Sequence, residues 1–100
     1  MGSDDGQLYF TNGDYFEGRI MPVEPYEPIT GKMIYSNGHI FIGPFEGGRP
    51  EGQGKLIYDN ESFYEGGFVS GAPKGVGART SKDGTRFVGN FPMKVVKKSS

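Results

Sequence analysis

The chain has 100 residues, of which 34% are hydrophobic, and these include only two leucines and two alanines. The length suits one domain, but the scarcity of helix-favouring apolar residues excludes a helix bundle. The bulky residues are instead 14 aromatic side chains, which stand among 18 glycines. Eleven basic and twelve acidic residues give a net charge of −1, which excludes the basic surface that nucleic-acid binding requires.

The first predicted element is a β-hairpin in a unit that spans residues 6–30. Leu8-Tyr9-Phe10 and Tyr15-Phe16 are short runs of strand-favouring residues, and Asn12-Gly13 lies between them. Asn-Gly between two such runs predicts a tight turn, because both residues tolerate a positive φ.

Three prolines at a spacing of three, Pro22, Pro25 and Pro28, follow this hairpin. The spacing lines them along one side of a polyproline II helix, which would make a docking strip for an aromatic groove. The segment stands where later units have glycines. We therefore interpret it as a stiff acidic loop that replaces their flexible connection.

The two middle units, residues 31–53 and 54–76, repeat with a period of 23 residues. Glycines and aromatics agree at identical offsets in the sequence that follows Phe41 and in the sequence that follows Tyr64. These positions are Phe41, Gly43, Phe45, Gly48, Gly52 and Gly54, and then Tyr64, Gly66, Phe68, Gly71, Gly75 and Gly77. Each unit is predicted to be a hairpin, with its turn at Asn37-Gly38 or at Asn60-Glu61.

A fourth unit covers residues 77–91 and repeats the pattern with Phe87, Gly89 and Phe91 after an Asp83-Gly84 turn. Four hairpins in succession are therefore predicted over residues 6–91. A basic tail, residues 92–100, follows them.

This pattern resembles the MORN repeat, which reads roughly Tyr-x-Gly-x-(Trp/Phe)-x-x-Gly-x-x-x-Gly-x-Gly and continues to Asp-Gly. Residues 41–77 match closely, whereas Glu61 replaces a turn glycine, and Val23 and Glu27 replace glycines of the first unit. The resemblance implies an all-β fold, a single-layer antiparallel sheet of about four consecutive β-hairpins. It also implies a non-catalytic scaffold that binds protein in a cytoskeletal or ciliary assembly, or alternatively a membrane-surface adaptor that binds anionic lipid.

The parity of the turns decides which residues share a face of the sheet. With turns of odd length, Leu8, Met33 and Leu56 join Phe16, Phe41 and Tyr64 on one face, which unites the largest side chains. We therefore predict that the opposite face carries a second apolar stripe, and that this stripe binds protein unless curvature of the sheet buries it. The predicted protein-binding residues are Ile34, Ile40, Ile42, Ile57 and Phe63.

The alternative lipid site would be a set of lysines that recur at one register or lie in the tail. These residues are Lys32, Lys55, Lys94, Lys97 and Lys98. Because the net charge is −1, any contact with anionic membranes is expected to be weak. The first and last strands of the array would each leave an open edge, which predicts self-association or burial in a larger assembly.

The residues that catalysis or metal binding would need are scarce. There is no cysteine and a single histidine, and the acidic residues are scattered, so neither an enzyme nor a metal or other cofactor is predicted,. The acidic start at Asp4-Asp5 is unlike a secretory leader, and the longest apolar run, Ile40-Phe41-Ile42, is too short to cross a bilayer. A cytoplasmic location is expected.

Overall fold

The computed structural model describes residues 4–92 and folds them into strands without a helix. The strands are β1 (Asp4–Tyr9), β2 (Tyr15–Ile20), β3 (Pro28–Ile34), β4 (Ile40–Glu46), β5 (Arg49–Pro50), β6 (Gly52–Ile57), β7 (Phe63–Val69), β8 (Ala72–Thr80) and β9 (Arg86–Phe91). They lie in one antiparallel sheet. The predicted all-β fold of consecutive hairpins is confirmed.

The strand order follows the chain, because each strand pairs with the next along the sequence. The order is β1-β2-β3-β4-β6-β7-β8-β9, and the two-residue strand β5 pairs with β4 outside this path. The predicted hairpins are the pairs β1–β2, β3–β4, β6–β7 and β8–β9. Their turns all lie along one side of the sheet, and the connections between hairpins lie along the other.

The hairpin turns have an odd number of residues. In the first hairpin the N–H of Phe10 donates to the carbonyl of Asp14 at 2.9 Å, and the N–H of Gly13 donates to the carbonyl of Phe10 at 3.0 Å. This is a three-residue loop with glycine in the left-handed region, at φ 97°,. The prediction of a positive φ at both turn residues was wrong for the asparagine.

The asparagine has a different part in the turn, since its side chain accepts a hydrogen bond. The Oδ1 of Asn12 accepts from the backbone N–H of Asp14 at 3.0 Å, as short polar side chains do in turns. The same bond, from the N–H two residues later, recurs at Asn37, Asn60 and Asp83. An Asn or Asp at this position therefore stabilises the loop through its acceptor oxygen.

Because the turns have an odd number of residues, the largest side chains of each hairpin stand opposite one another on its two strands. Leu8 stands opposite Phe16, Met33 opposite Phe41, and Leu56 opposite Tyr64. Cross-strand partners in an antiparallel pair lie on the same face. The predicted parity is confirmed, and we call this side of the sheet the ring face.

Glycines form a line across the ring face, which we call the glycine row. Gly43 shows why the row is needed, because a Cβ there would lie 2.9 Å from the Cζ of Phe41 and 3.0 Å from the Cα of Gly54. The ring of Phe41 thus lies directly on the backbone of its own strand and of the next. The row consists of Gly6, Gly18, Gly31, Gly43, Gly54, Gly66, Gly77 and Gly89.

The rings of successive units contact one another and form the core. Phe45 packs edge-on against Phe16 of the preceding unit at 5.4 Å between centroids and against Phe41 at 5.2 Å. Phe68 makes the equivalent contacts with Phe41 at 4.8 Å and Tyr64 at 5.3 Å. Such edge-to-face pairs add to the stability that burial provides. As a result, the first ring of each of these units is 0–1% exposed within a single layer of sheet.

The proline-containing segment between β2 and β3 is a closed loop. The N–H of Met21 donates to the carbonyl of Glu27 at 2.9 Å, whereas a polyproline II helix has no internal hydrogen bonds. The pairing of β2 with β3 also shifts register between Arg19 and Ile20. The structure therefore agrees with a bypass loop and not with a docking strip.

The replacement Gly66→Val is expected to lower the free energy of unfolding by roughly 3 kcal/mol, because at this position of the glycine row the Tyr64 ring and the neighbouring strand leave no space for a side chain,. A Cβ at Gly66 would lie 2.6 Å from the Cα of Gly77. Lys82→Val is the control, since it removes only an ion pair whose two side chains are 70% and 72% exposed,. Urea titrations of both variants give the comparison, and equal midpoints would contradict the packing of rings on the row.

Glu61→Gly is expected to raise the free energy of unfolding by about 1 kcal/mol, because Glu61 occupies the left-handed position of its turn at φ 71°,. The control is Gly84→Ala at the equivalent turn position, where φ is +92° and an added Cβ would meet no atom within 4 Å. It should destabilise through backbone strain alone. Thermal unfolding followed by circular dichroism measures both. A lower melting temperature for Glu61→Gly would show that the side chain, and not the backbone, governs this turn.

Candidate functional site

The face opposite to the rings carries an unbroken line of apolar cross-strand neighbours. Ile34 stands opposite Ile40, Ile40 opposite Ile57, and Ile57 opposite Phe63. Tyr15 extends the line as the partner of Ile34, and Tyr9 extends it further as the partner of Tyr15. We call these residues the apolar row: Tyr9, Tyr15, Ile34, Ile40, Ile57 and Phe63.

The middle of the apolar row is only partly protected from solvent. Ile34, Ile40, Ile57 and Phe63 are half-buried, because each one packs beside its neighbours on adjacent strands. In residues 4–92 no helix or second sheet covers this face. The outer surface of the row is therefore accessible, unlike the rings of the other face.

A second line of cross-strand neighbours runs beside the apolar row on the same face, and we call it the mixed row. It consists of Glu17, Lys32, Ile42, Lys55 and Glu65. Lys32 and Lys55 are the cross-strand partners of Ile42, which is 42% exposed. Glu17 stands opposite Lys32, and Glu65 stands opposite Lys55. The four charges sum to zero, so the mixed row offers a polar border without a net attraction for anions.

One cation of the mixed row contacts the apolar row directly. The Nζ of Lys55 lies 4.4 Å from the centroid of the Phe63 ring, which is within the range of a cation–π contact. The ammonium group of Lys55 thereby covers part of the outer face of the ring. Phe63 is the largest side chain in the central part of the row, where the other residues are isoleucines.

The structure brings most of the residues predicted from the sequence together. Ile34, Ile40, Ile57 and Phe63 lie in the apolar row, and Ile42 lies beside them in the mixed row. Of the lysines in the alternative lipid site, Lys32 and Lys55 lie on this face, but each has a carboxylate as its cross-strand partner. Lys94, Lys97 and Lys98 lie outside the described residues.

Two tyrosines belong to the row although the predicted site omitted them. The rings of Tyr9 and Tyr15 are 4.8 Å apart, and Tyr9 is 76% exposed. The hydroxyl of Tyr15 donates to Glu17 Oε2 at 3.3 Å. Desolvation and the Glu17 charge raise the pKa of Tyr15, so the hydroxyl remains a donor at neutral pH,. Strand alternation around an odd turn puts both residues on this face, and this parity was the signal that could have added them to the site.

The ring face has grooves that sequence reasoning missed. One groove of about 340 Å³ lies between Tyr35, Pro50 and Phe68. Another of about 570 Å³ lies between Tyr58, Pro73 and Phe91, which are the same positions 23 residues later. The recurrence of Tyr and Pro at the repeat period was the available signal.

The larger groove differs in having a cation where the smaller one has an aliphatic side chain. Arg79 takes the place of Leu56, and its guanidinium carbon lies 4.7 Å from the centroid of the Tyr58 ring. Tyr64 closes the groove wall, and its hydroxyl donates to the carbonyl of Gly67 at 3.1 Å. Burial raises the pKa of Tyr64, and the nearby Tyr58 raises it further.

His39 contacts two side chains of the following unit. His39 lies 3.6 Å from a carboxylate oxygen of Asp59 and packs edge-on against the ring of Tyr58. No cluster of histidine and acidic residues suitable for a metal ion occurs within residues 4–92. In the same residues no helix of sufficient length and hydrophobicity to cross a membrane is present.

Comparison with protein families gives a match over two adjacent segments. The family described as MORN repeat matches residues 41–63 and residues 64–86. Each segment is 23 residues long and begins at the first ring of a unit, so the match has the period of the glycines and aromatics. The chain matches no curated protein.

Proposed function

Because the chain carries two adjacent MORN repeats, which are generally interaction modules and not catalysts, we propose that it is a scaffold that binds a protein partner through the apolar row. The single observation that carries this proposal is the unbroken line of accessible apolar side chains across neighbouring strands. Contiguous exposed apolar surface with a polar border is typical of protein-interaction sites.

The two faces of the sheet differ in whether their apolar side chains contribute to the core, and this difference supports the proposal. The ring face uses its apolar side chains for the core, where Phe16 and Phe41 are 0% exposed and Tyr64 is 1% exposed. The apolar row adds nothing to that core, since its side chains point away from it. An apolar line that is unnecessary for the core is best explained by a partner that covers it.

The shape of the row indicates what kind of partner segment it would hold. The row runs across neighbouring strands, is one side chain wide, and is bordered by charges of both signs in the mixed row. A helix or strand with one apolar edge and flanking charges would complement it, burying apolar surface worth about 25 cal/mol per Å². Phe63 is the proposed anchor, because one large ring near the centre commonly dominates such contacts.

The proposal extends to the cellular setting. We place the scaffold in the cytoplasm, within a cytoskeletal or ciliary assembly, on the resemblance of its repeats alone. Fluorescence microscopy of the tagged chain in ciliated cells would test the setting, with the Phe63→Glu variant as the comparison. A diffuse signal for both proteins would remove the cytoskeletal and ciliary part and leave the binding surface to be judged separately.

Phe63→Glu is expected to reduce partner binding at least tenfold, or about 1.4 kcal/mol, because a carboxylate would replace the anchor ring in the apolar row. The fold should persist, since the ring face and glycine row are unchanged. Partner capture is measured by photocrosslinking from an exposed residue in the mixed row, such as Glu65, in an extract of the native source. The captured partner is then bound to purified variants and its affinity determined.

Two further variants make this experiment decisive. Val76→Glu places the same charge on the same face but outside both rows, at a side chain that is 69% exposed, and it should bind normally. Ile42→Glu keeps the test informative should Phe63→Glu lose its β-sheet circular dichroism, because Ile42 is 42% exposed. Normal binding by a folded Phe63→Glu or Ile42→Glu variant would overturn the proposal.

The lipid alternative gives a separate expectation. Because Lys32 and Lys55 each stand opposite a glutamate, binding to anionic vesicles should be weak and should disappear near 0.15 M salt, where screening acts within ~8 Å. Co-sedimentation with phosphatidylserine vesicles measures this. Salt-resistant binding that Lys97→Glu and Lys98→Glu together abolish would make the membrane adaptor the better description.

A further inference from the structure

The packing of rings on the glycine row follows one rule inside the sheet. The first ring of each unit covers a glycine on its own strand and a glycine on the strand that begins the next unit. An added Cβ at Gly43 or at Gly54 would lie 2.9 or 2.5 Å, respectively, from the Cζ of Phe41. The other instances are Phe16 over Gly18 and Gly31, and Tyr64 over Gly66 and Gly77.

At the C-terminal edge of the described sheet the ring covers only one of the two glycines. The ring of Phe87 covers Gly89, where an added Cβ would lie 3.0 Å from its Cε2. No strand of residues 4–92 pairs with the outer edge of β9, so the second glycine is missing. As a result Phe87 is 48% exposed, whereas the equivalent Phe16, Phe41 and Tyr64 are 0–1% exposed.

At the N-terminal edge of the described sheet the glycine is present, but the ring that would cover it is missing. Gly6 begins its unit as Gly31, Gly54 and Gly77 begin theirs, but the structure places no ring over it. An added Cβ at Gly6 would meet only the side chain of Ile20, with Cδ1 at 2.8 Å. No strand within the described residues pairs with the outer edge of β1. One edge therefore has a ring without a glycine, and the other has a glycine without a ring.

We propose that the two edges are each other's partners, so that β9 of one molecule pairs antiparallel with β1 of a second copy and places Phe87 over that copy's Gly6. The junction between β4 and β6 supplies the register, because it joins two units within the chain. There Phe41 stands opposite Leu56 and Ile42 stands opposite Lys55. The equivalent contact sets Phe87 opposite Leu8 of the second copy and Val88 opposite its Gln7.

The side chains at this junction suit a second copy. Arg86 would stand opposite Tyr9 of the other molecule, where a cation meets an aromatic ring, and no like charges oppose each other in this register. Pairing β9 with another β9 gives Phe87 nothing equivalent, because each Gly89 already lies under its own ring. The contact is therefore head-to-tail and leaves the same two edges free at the ends, so association is open-ended.

This contact is made by the strand edges and includes only Tyr9, at the end of the apolar row, so it does not need a partner bound at the centre of that row. Sedimentation velocity of the 100-residue chain over a wide concentration range measures it. We expect a series of species that grows with concentration. A chain that stays monomeric up to the millimolar range would overturn the proposal.

Two variants block one edge each. Phe87→Asp removes the ring that would cover the second copy. Gly6→Val fills the site under that ring, and its own strand can accept the change because the nearest atom is the flexible end of Ile20. Each variant alone should weaken self-association at least tenfold. Val76→Asp, which adds a charge away from both edges, should associate like the original chain.

Mixing the two blocked variants distinguishes a head-to-tail contact from a symmetric one. Phe87→Asp keeps a functional β1 edge, and Gly6→Val keeps a functional β9 edge, so the mixture should form a one-to-one dimer and stop there. Self-association of Gly6→Val at the original strength would show pairing between like edges and overturn the proposal. Circular dichroism of each variant establishes that it is folded, and a failure of Phe87→Asp to fold leaves Gly6→Val to decide.

Discussion

The structure depends on the close approach of aromatic rings to backbone that has no side chain. The ring of Phe41 rests on two neighbouring strands at once, and any Cβ on either glycine would overlap it. The backbone of the sheet thereby serves as the second surface that a single layer otherwise lacks. Burial of Phe41 and Phe16 to 0% exposure follows from this contact, because a flat ring against flat backbone excludes water and gains dispersion on its whole face.

The same constraint links the units into a linear array. Phe45 and Phe68 each contact a ring of their own unit and a ring of the unit before it. Polar contacts along the turn side add to this, as in the hydrogen bond from the N–H of Ser36 to Asp14 at 2.8 Å. Since each unit contacts only its neighbours, stability accumulates from one interface to the next, as in other repeat proteins.

Using one face for packing frees the other for a different purpose. Strand alternation sends every second side chain to the far side, and no internal layer needs those residues. Typical antiparallel sheets make such a face polar. Here the central hairpins place isoleucines and Phe63 there instead, beside a row in which lysines and glutamates balance. In a face with this composition, neighbouring side chains shield one another from water only in part. A binding partner would bury the apolar surface that remains exposed.

The sequence by itself determined the fold class, the four hairpins and the 23-residue period, because turns and ring-bearing strands are local features with strong residue preferences. It also indicated both faces, since parity along a strand is fixed once the turn length is known. The tertiary structure decided what depends on neighbours distant in the chain. It showed that Asn12 works through its acceptor oxygen, that Tyr9 and Tyr15 extend the apolar row, and that Lys32 and Lys55 stand opposite carboxylates. It also revealed the grooves beside Tyr35 and Tyr58. Cross-strand register brings these groups together, and register is set by the packing of whole hairpins and not by any one residue's preference.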